Sequence, residues 1–367
     1  MGTALASGGL TGMARVLGSG YQGPPELTVA RAFTEWTLDP WMLALILVLG
    51  GGYLAAAHRQ PGWSVARRIW FLGFGLGFLV IATMSWVGVY QPVLFYARAV
   101  QTVLLVLVVP LFLTLGRPIS LAIAVFPRTG ARIEAAIRSR PARILTFPAI
   151  TAFALVAVPF VMYFTSWYTA VFHSTTVREL TYLALMAAGF AFFWTLLRVD
   201  PVPKEYAYGV SMWITGALVV GDAFFGLSVI AYQNLIGAAY YHALARPWGP
   251  TLRTDQVIGG GVLWILGDLV GLPFLAAQLI QLMREDESGA VVIDAELDAR
   301  DAERQATRER VRRQNPGGRT TPASPAASSR PEDQSLRRMY SAQPPCGRSA
   351  CPANSCAFIM HQDGMSV

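Results

Sequence analysis

Seven long apolar stretches lie between Trp41 and Leu282 and constrain the fold more than any other feature of the chain. A helix needs roughly 20 apolar residues to cross a bilayer, and in lipid its backbone polar groups must be hydrogen-bonded within the chain. The stretches lack the strict period-2 alternation of barrel strands. The sequence therefore predicts an all-α, polytopic membrane protein, whose seven transmembrane helices lie at residues 41–57, 69–89, 93–115, 144–164, 180–197, 208–231 and 258–282.

The charges indicate how these helices are oriented. Only 14% of the residues are charged, against about a quarter in a soluble protein. The net charge of +7 arises mainly in alternate connections between the stretches, which the positive-inside rule places in the cytoplasm. This predicts an external N-terminus and a cytoplasmic C-terminus. Because the basic excess follows topology, we expect the lipid bilayer as a partner and no nucleic acid.

Composition divides the chain into three regions. We expect an external N-terminal arm at 1–36, a seven-helix membrane domain at 37–283 and a cytoplasmic, largely disordered tail at 284–367. Within the tail, residues 294–314 could form a solvated helix at most. The three cysteines, Cys346, Cys351 and Cys356, all lie in this tail, and their spacing is wider than that of structural zinc ligands.

The residue types missing from the apolar stretches exclude several functions. No stretch contains histidine, lysine or cysteine, which removes the usual haem ligand, the lysine of a retinal Schiff base and most metal ligands. The sequence has no zinc-protease His-Glu-x-x-His motif, no Walker loop and no Gly-x-Ser-x-Gly elbow. We therefore expect the protein not to be an enzyme.

Three ionisable residues within the stretches are candidates for function, because charges in lipid are costly. Arg98 lies about two turns into the third predicted helix, and Asp222 and Asp268 lie near the middle of the sixth and seventh. Helix rise places the two aspartates at similar depth, and a long arginine side chain could reach either one. We predict a buried polar cluster of these three residues, either a structural salt bridge or a substrate or ion site.

Histidines offer weaker candidates for a metal site. His173 and His242 both lie in predicted external loops. Neither has a second ligand three or four residues away, which makes the pair a weak candidate for a metal site. The methionines within the helices are scattered, which is typical of residues that fill gaps in a core.

Several short motifs, taken in order, resemble the CtaG family of cytochrome c oxidase assembly factors. The resemblance covers roughly residues 36–287. Its strongest part is the run Asp255-Gln256 with Trp264, Gly267 and Pro273. The other matching segments are Asp39-Pro40, Tyr53, Leu115-Gly-Arg-Pro118, Tyr163-Phe-Thr-Ser-Trp167, Gly189 to Trp194 and Asp200-Pro-Val-Pro203.

The resemblance implies a seven-helix plasma-membrane protein that helps a copper-containing respiratory oxidase to mature, with oxidase subunits as partners and copper handling as the mechanism. It also implies a His-Met-x-x-His-Met run of ligands on the third helix. That run falls on Arg98-Ala-Val-Gln-Thr-Val103, which has neither residue type. Two further ligand positions correspond to the segments 178–182 and 222–226, again without histidine.

Three functions remain open from the sequence. The first is an oxidase assembly factor of the copper-handling type whose histidine ligands have been lost. The second is a metal-free membrane scaffold that kept the fold of such a factor. The third, an ion or small-molecule transporter using Arg98, Asp222 and Asp268, would be supported by inverted repeats, and the sequence shows none.

Overall fold

The computed structural model describes residues 21–203 and 208–314, and this part of the chain is helical, without a strand. The helix α4 runs through three consecutive segments, Phe95–Val103, the π-helical Leu104–Val108 and Val109–Leu115. The other helices are α1 (Val29–Thr34), α2 (Pro40–Arg59), α3 (Val65–Tyr90), α5 (Pro118–Val125), α6 (Pro127–Ile137), α7 (Arg140–Leu145), α8 (Pro148–Phe164), α9 (Trp167–His173), α10 (Thr175–Leu197), α11 (Tyr208–Ala231), α12 (Ala238–Leu244) and α13 (Leu252–Gln314).

Among the described residues, six helices are long and apolar enough to cross a membrane, or seven if one bent pair counts as a span. The pair is α8 and α9, which meet at an angle of 72°. The break occurs at Thr165, whose extended backbone ends α8. The helix has 17 residues and is shorter than the 144–164 helix expected from the sequence because it begins at Pro148, whereas its end at Phe164 is as expected. The all-α, polytopic membrane fold is confirmed, while the external N-terminus and cytoplasmic C-terminus stay predictions.

The third span, α4 with α5, is central to the bundle. In the most apolar 18-residue part of this span, 67% is buried inside the protein, compared with 22% for the corresponding part of α2. Close helix contacts explain part of this burial: a Cβ on Gly189 of α10 would collide with the carbonyl oxygen of Val106 in α4. Small residues allow such backbone approach between membrane helices. We therefore expect a functional site among the buried residues of α4.

Two residues of the family-type motifs, Asp200 and Tyr53, form hydrogen bonds with the segment where α4 ends and α5 begins. The side chain of Asp200, beyond α10, accepts hydrogen bonds from the backbone N–H of Ser120 (2.9 Å) and of Ile119 (3.3 Å), which caps the start of α5. Burial raises the pKa of Asp200, and the hydrogen bonds from Ser120 and Ile119 partly counter this rise. On the neighbouring turn, the Tyr53 hydroxyl donates to the carbonyl oxygen of Gly116 at 2.7 Å.

The segment that follows α4 and the last described part of the chain are both helical. The arginine-rich residues 117–143 contain the short helix α6, between α5 and α7. The expected helix at 294–314 is the end of α13, which reaches Gln314. Contacts divide the chain into units at 1–291 and 292–367, and the region boundaries at residues 36 and 283 stay predictions. The three tail cysteines lie outside the described residues.

Candidate functional site

Arg98, the charged residue of α4, is almost completely buried, with 1% of its surface exposed. Its guanidinium donates to the side-chain oxygen of Gln101 at 2.8 Å, to that of Gln91 at 3.2 Å and to the sulfur of Met162 at 3.5 Å. All three partners are neutral. The Nε of Arg98 is buried and has no hydrogen-bond partner in the described part of the chain. None of these partners carries a negative charge that would offset the guanidinium.

Gln101 extends this arrangement to two further helices. Its amide nitrogen donates to the carbonyl oxygen of Ala82 at 2.8 Å and to the hydroxyl of Tyr182 at 3.0 Å. The guanidinium of Arg98 also lies 5.9 Å from the ring centroid of Tyr182, within the range of a cation–π contact. We call Gln91, Arg98, Gln101, Met162 and Tyr182 the Arg98 network. It joins α3, α4, α8 and α10 at one place.

The predicted pairing of Arg98 with an aspartate is not among the ion pairs of the described residues. Spacing along each helix could not give the rotation of the helix about its axis, which decides which side chains meet. In the structure the guanidinium is held by Gln91, Gln101 and Met162 instead. The role of the three charged residues as one functional cluster stays a prediction.

Asp222, by contrast, contacts the helix that carries Asp268. Asp222 of α11 lies against the Cα of Gly267 in α13, in the space that a Cβ would occupy, and Asp268 is the next residue. One oxygen of each carboxylate, Oδ2 of Asp222 and Oδ1 of Asp268, is buried without a hydrogen-bond partner among the described residues.

An internal cavity of about 40 Å³ adjoins Asp222. Apart from Asp222, its polar lining consists of Thr102 of α4 and Thr215 of α11. Thr215 donates to the side-chain oxygen of Gln278 at 2.9 Å, and Gln278 is 3% exposed with its amide nitrogen unpaired within the described chain. The rest of the lining is apolar or glycine, so the cavity is polar at Asp222 and at the two threonines only.

The family-motif aspartate, Asp255, has a structural role at the other end of α4. Its carboxylate accepts the backbone N–H of Phe95 (3.1 Å) and of Tyr96 (3.0 Å), which caps α4 from the start of α13. The same carboxylate forms an ion pair with Arg246 at 3.2 Å, and the two side chains are 1% and 2% exposed. Asp255 therefore joins α4, α13 and the segment that follows α12.

The remaining motif residues contribute to packing. The Gln256 side chain accepts the N–H of Ile236 at 2.8 Å and donates to three carbonyl oxygens of residues 229–234. Trp264 lies beside Gly226 of α11, where an added Cβ would be 2.7 Å from the Trp264 Cβ. Pro273 lies within α13. Each of these residues connects α13 to the rest of the bundle or shapes it, and none contacts the Arg98 network in the described structure.

The two candidate metal-binding histidines are exposed. His173 ends α9 and lies edge-on to the Tyr240 ring at 5.9 Å, while His242 is on α12. Within residues 21–203 and 208–314, no group of three or more His, Cys, Asp or Glu residues could hold a metal ion. The structure thus gives His173 and His242 no further ligands of these types.

Sequence reasoning missed most of the residues that surround Arg98. Gln91 lies in the turn before α4, Gln101 and Tyr182 are polar residues within apolar helices, and Gln101 is completely buried. A glutamine in a membrane helix must find a partner for its amide, so Gln101, one turn from Arg98, was the available signal. The sequence signal for Arg246 and Gln278 is weaker. Arg246 lies outside the apolar stretches, and Gln278 is an uncharged residue within the seventh stretch.

Comparison with known proteins decides the family. The model of the cytochrome c oxidase caa3 assembly factor family (Caa3_CtaG) matches residues 50–285, well over half of the 367-residue chain. The chain belongs to this family. The CtaG resemblance of the motifs is therefore confirmed, and with it the assignment of the bundle to oxidase assembly factors.

Mycobacterial proteins are among the relatives of this CtaG-family chain. Uncharacterized proteins of Mycobacterium bovis and Mycobacterium tuberculosis are each 32% identical to it over 293 residues, and one of Mycobacterium leprae is 27% identical over 292 residues. These matches cover 76% of the chain but only 44% of each relative, so the chain spans less than half of their length. No solved structure matches it.

Proposed function

We propose that this protein is a non-catalytic accessory factor in the maturation of a cytochrome c oxidase in the bacterial plasma membrane. Membership of the caa3 assembly factor family supports this role. We further propose that it acts through contacts with oxidase subunits and holds no copper in its bundle. The observation that carries the second part is the Arg98 network, which joins positions where the family resemblance implies ligands.

The chemistry of this network does not suit a copper ion. Cu(I) prefers thiolate, thioether and imidazole ligands, whereas a guanidinium has no lone pair to donate and stays positively charged. Met162 is a thioether, but its sulfur already accepts a hydrogen bond from Arg98. Gln101 and Tyr182 are engaged with each other at 3.0 Å. A cation brought to this place would meet the charge of Arg98 with no anion to offset it.

Deletion of the gene tests the assembly role. We expect loss of cytochrome c oxidase activity and of the oxidase haem absorbance in isolated membranes, restored by the wild-type chain from a plasmid. Added copper in the medium should not restore activity, because the proposed role does not depend on copper held by this protein. Normal oxidase in the deletion strain would contradict the assembly role, and rescue by copper alone would contradict the copper-free mechanism.

A gain-of-ligand variant tests the interpretation of the network itself. The combined change Arg98→His and Thr102→His removes the cation and places two imidazoles one turn apart on α4. We expect the purified wild-type protein to bind no stoichiometric Cu(I) in a competition assay with a chromogenic chelator, and the variant to gain binding. A matched control, His173→Ala with His242→Ala, should leave both copper binding and oxidase assembly unchanged. Stoichiometric Cu(I) on the wild-type protein would refute the interpretation.

A further inference from the structure

The segment between α5 and α8 carries a concentration of positive charge that the assembly role does not explain. Residues 117–147 contain six arginines and a single acidic residue, Glu134, which gives this part of the chain a net charge of +5. Five of the arginines follow α5 and are exposed, and we call them the arginine surface: Arg128, Arg132, Arg138, Arg140 and Arg143. None of them takes part in an ion pair among the described residues. Their charge is therefore free to attract an anionic partner.

The arginine surface lies at one end of the bundle, where two apolar helices meet it. The span of α4 and α5 ends at Val125, and the apolar helix α8 begins at Pro148. Near the end of α8, the sulfur of Met162 accepts a hydrogen bond from Arg98 near the start of α4, so the two helices run antiparallel. Residues 126–147 therefore leave the bundle and re-enter it at the same end, which in a membrane is the level of the lipid headgroups.

Close packing of α6 against α5 fixes the direction in which its arginines point. Gly130 of α6 is buried, and a Cβ added there would be 2.9 Å from the Cα and the carbonyl oxygen of Ile123 in α5. Ile137 is also buried and lies seven residues later, on the same face of the helix. Arg128 and Arg132 each lie two residues from Gly130, which places them on the opposite face. The helix therefore presents these arginines away from the bundle.

Large apolar side chains are exposed beside the arginine surface. Phe126, before α6, is 42% exposed, and Ile144 and Leu145, at the end of α7, are 62% and 66% exposed. The guanidinium of Arg59, the last residue of α2, lies 5.9 Å from the centroid of the Phe126 ring and adds a further positive charge here. A bilayer interface accommodates both kinds of side chain, because apolar groups enter the acyl boundary while arginines reach the phosphates.

We propose that the arginine surface binds the headgroups of anionic phospholipids, with Ile144 and Leu145 inserted among the acyl chains beside them. The phosphate of a lipid accepts two parallel hydrogen bonds from one guanidinium, a geometry that arginine favours. An acidic protein segment would neutralise the arginines equally well, but it would leave the exposed apolar side chains in water. A phospholipid supplies the anion and the apolar chains in one molecule. This binding is independent of copper and of the oxidase.

Native mass spectrometry of the purified full chain in a neutral detergent tests the proposal by counting bound lipids. The protein is titrated with phosphatidylglycerol, which is anionic, or with phosphatidylcholine of the same acyl chains, which has no net charge. We expect phosphatidylglycerol to bind at least about tenfold more tightly at low ionic strength, and this preference should shrink as salt screens the charges. Glycerophosphoglycerol, the same headgroup without acyl chains, should not displace the bound lipid even in large excess.

A triple variant assigns the lipid preference to this surface. The combined change Arg128→Gln, Arg132→Gln and Arg143→Gln removes three charges at exposed positions, so the fold should persist. We expect its affinity for phosphatidylglycerol to fall by at least about tenfold, whereas its affinity for phosphatidylcholine should not change. The unchanged binding of phosphatidylcholine also shows that the variant is folded.

The matched control removes the same number of charges from exposed positions near the end of α13, by Arg308→Gln, Arg310→Gln and Arg313→Gln. It should keep the preference for phosphatidylglycerol, and a loss equal to that of the first variant would overturn the proposal. Equal affinity of the wild-type chain for the two lipids would overturn it without any variant. Displacement by glycerophosphoglycerol would show that acyl chains contribute nothing and would refute the lipid as the partner. Because oxidase activity is not measured, failure here leaves the assembly role untouched.

Discussion

The substitution Asp255→Asn should destabilise the bundle more than any other acid-to-amide change in the described chain. Asp255 is 1% exposed and Arg246 is 2% exposed, so water cannot solvate the arginine once the carboxylate is gone. The amide keeps the shape of the side chain but loses its charge, and its NH₂ group is a donor that faces the donors of Phe95, Tyr96 and Arg246. The change therefore removes an ion pair and weakens a helix cap.

The expected magnitude follows from these two losses. Breaking a buried ion pair by removal of one partner costs about 3–5 kcal/mol, and most of this arises because Arg246 is left charged and unpaired. We expect the free energy of unfolding to fall by about 3–5 kcal/mol in Asp255→Asn. The second change Arg246→Met should restore at least half of this loss, since it removes the unpaired cation.

Unfolding in mixed detergent micelles, followed by the change in tryptophan fluorescence as the denaturing detergent increases, measures this effect. The control is Glu296→Gln, which breaks the exposed pair with Arg300 and should cost at most about 1 kcal/mol. Equal stability of Asp255→Asn and Glu296→Gln would refute the reasoning. So would a double variant no more stable than Asp255→Asn alone.

Three further changes test the contacts that position the helices, in the same unfolding assay. Asp200→Ala removes the acceptor for two backbone N–H groups at the start of α5 and should cost about 1–2 kcal/mol; a neutral result would contradict the capping role. Gly189→Ala puts a methyl group against the carbonyl oxygen of Val106 and should cost about 1–3 kcal/mol. Its control is Gly216→Ala, where the added methyl group meets open space and should be neutral or stabilise the protein by up to about 1 kcal/mol. If Gly216→Ala were the more destabilising of the two, close packing of α4 and α10 would be excluded. Tyr53→Phe removes the hydroxyl that donates to the Gly116 carbonyl oxygen and should cost about 1 kcal/mol, and no change would show that this bond adds nothing.

The Arg98 network shows where sequence reasoning and structure diverge. The sequence correctly marked Arg98 as an intramembrane charge, and it indicated that the family's ligand positions have other side chains here. It could not identify Gln91 and Tyr182 as neighbours of Arg98, because Gln91 lies in the turn before α4 and Tyr182 in α10, and packing decides which faces of these segments meet. Asp255 is a similar case: it caps α4 from about 160 residues away along the chain, which no local pattern contains.

The sequence by itself determined the membrane fold, the approximate bounds of most helices and the family. Hydrophobicity is additive along a segment, and a helix in lipid needs no other element to pair its backbone, so local composition suffices for these properties. The tertiary structure alone decided that Asp222 lies against Gly267, that Arg98 has neutral partners, and that a 72° bend separates α8 from α9. These facts depend on which faces of the helices meet, and that choice is made by packing between residues far apart in the chain.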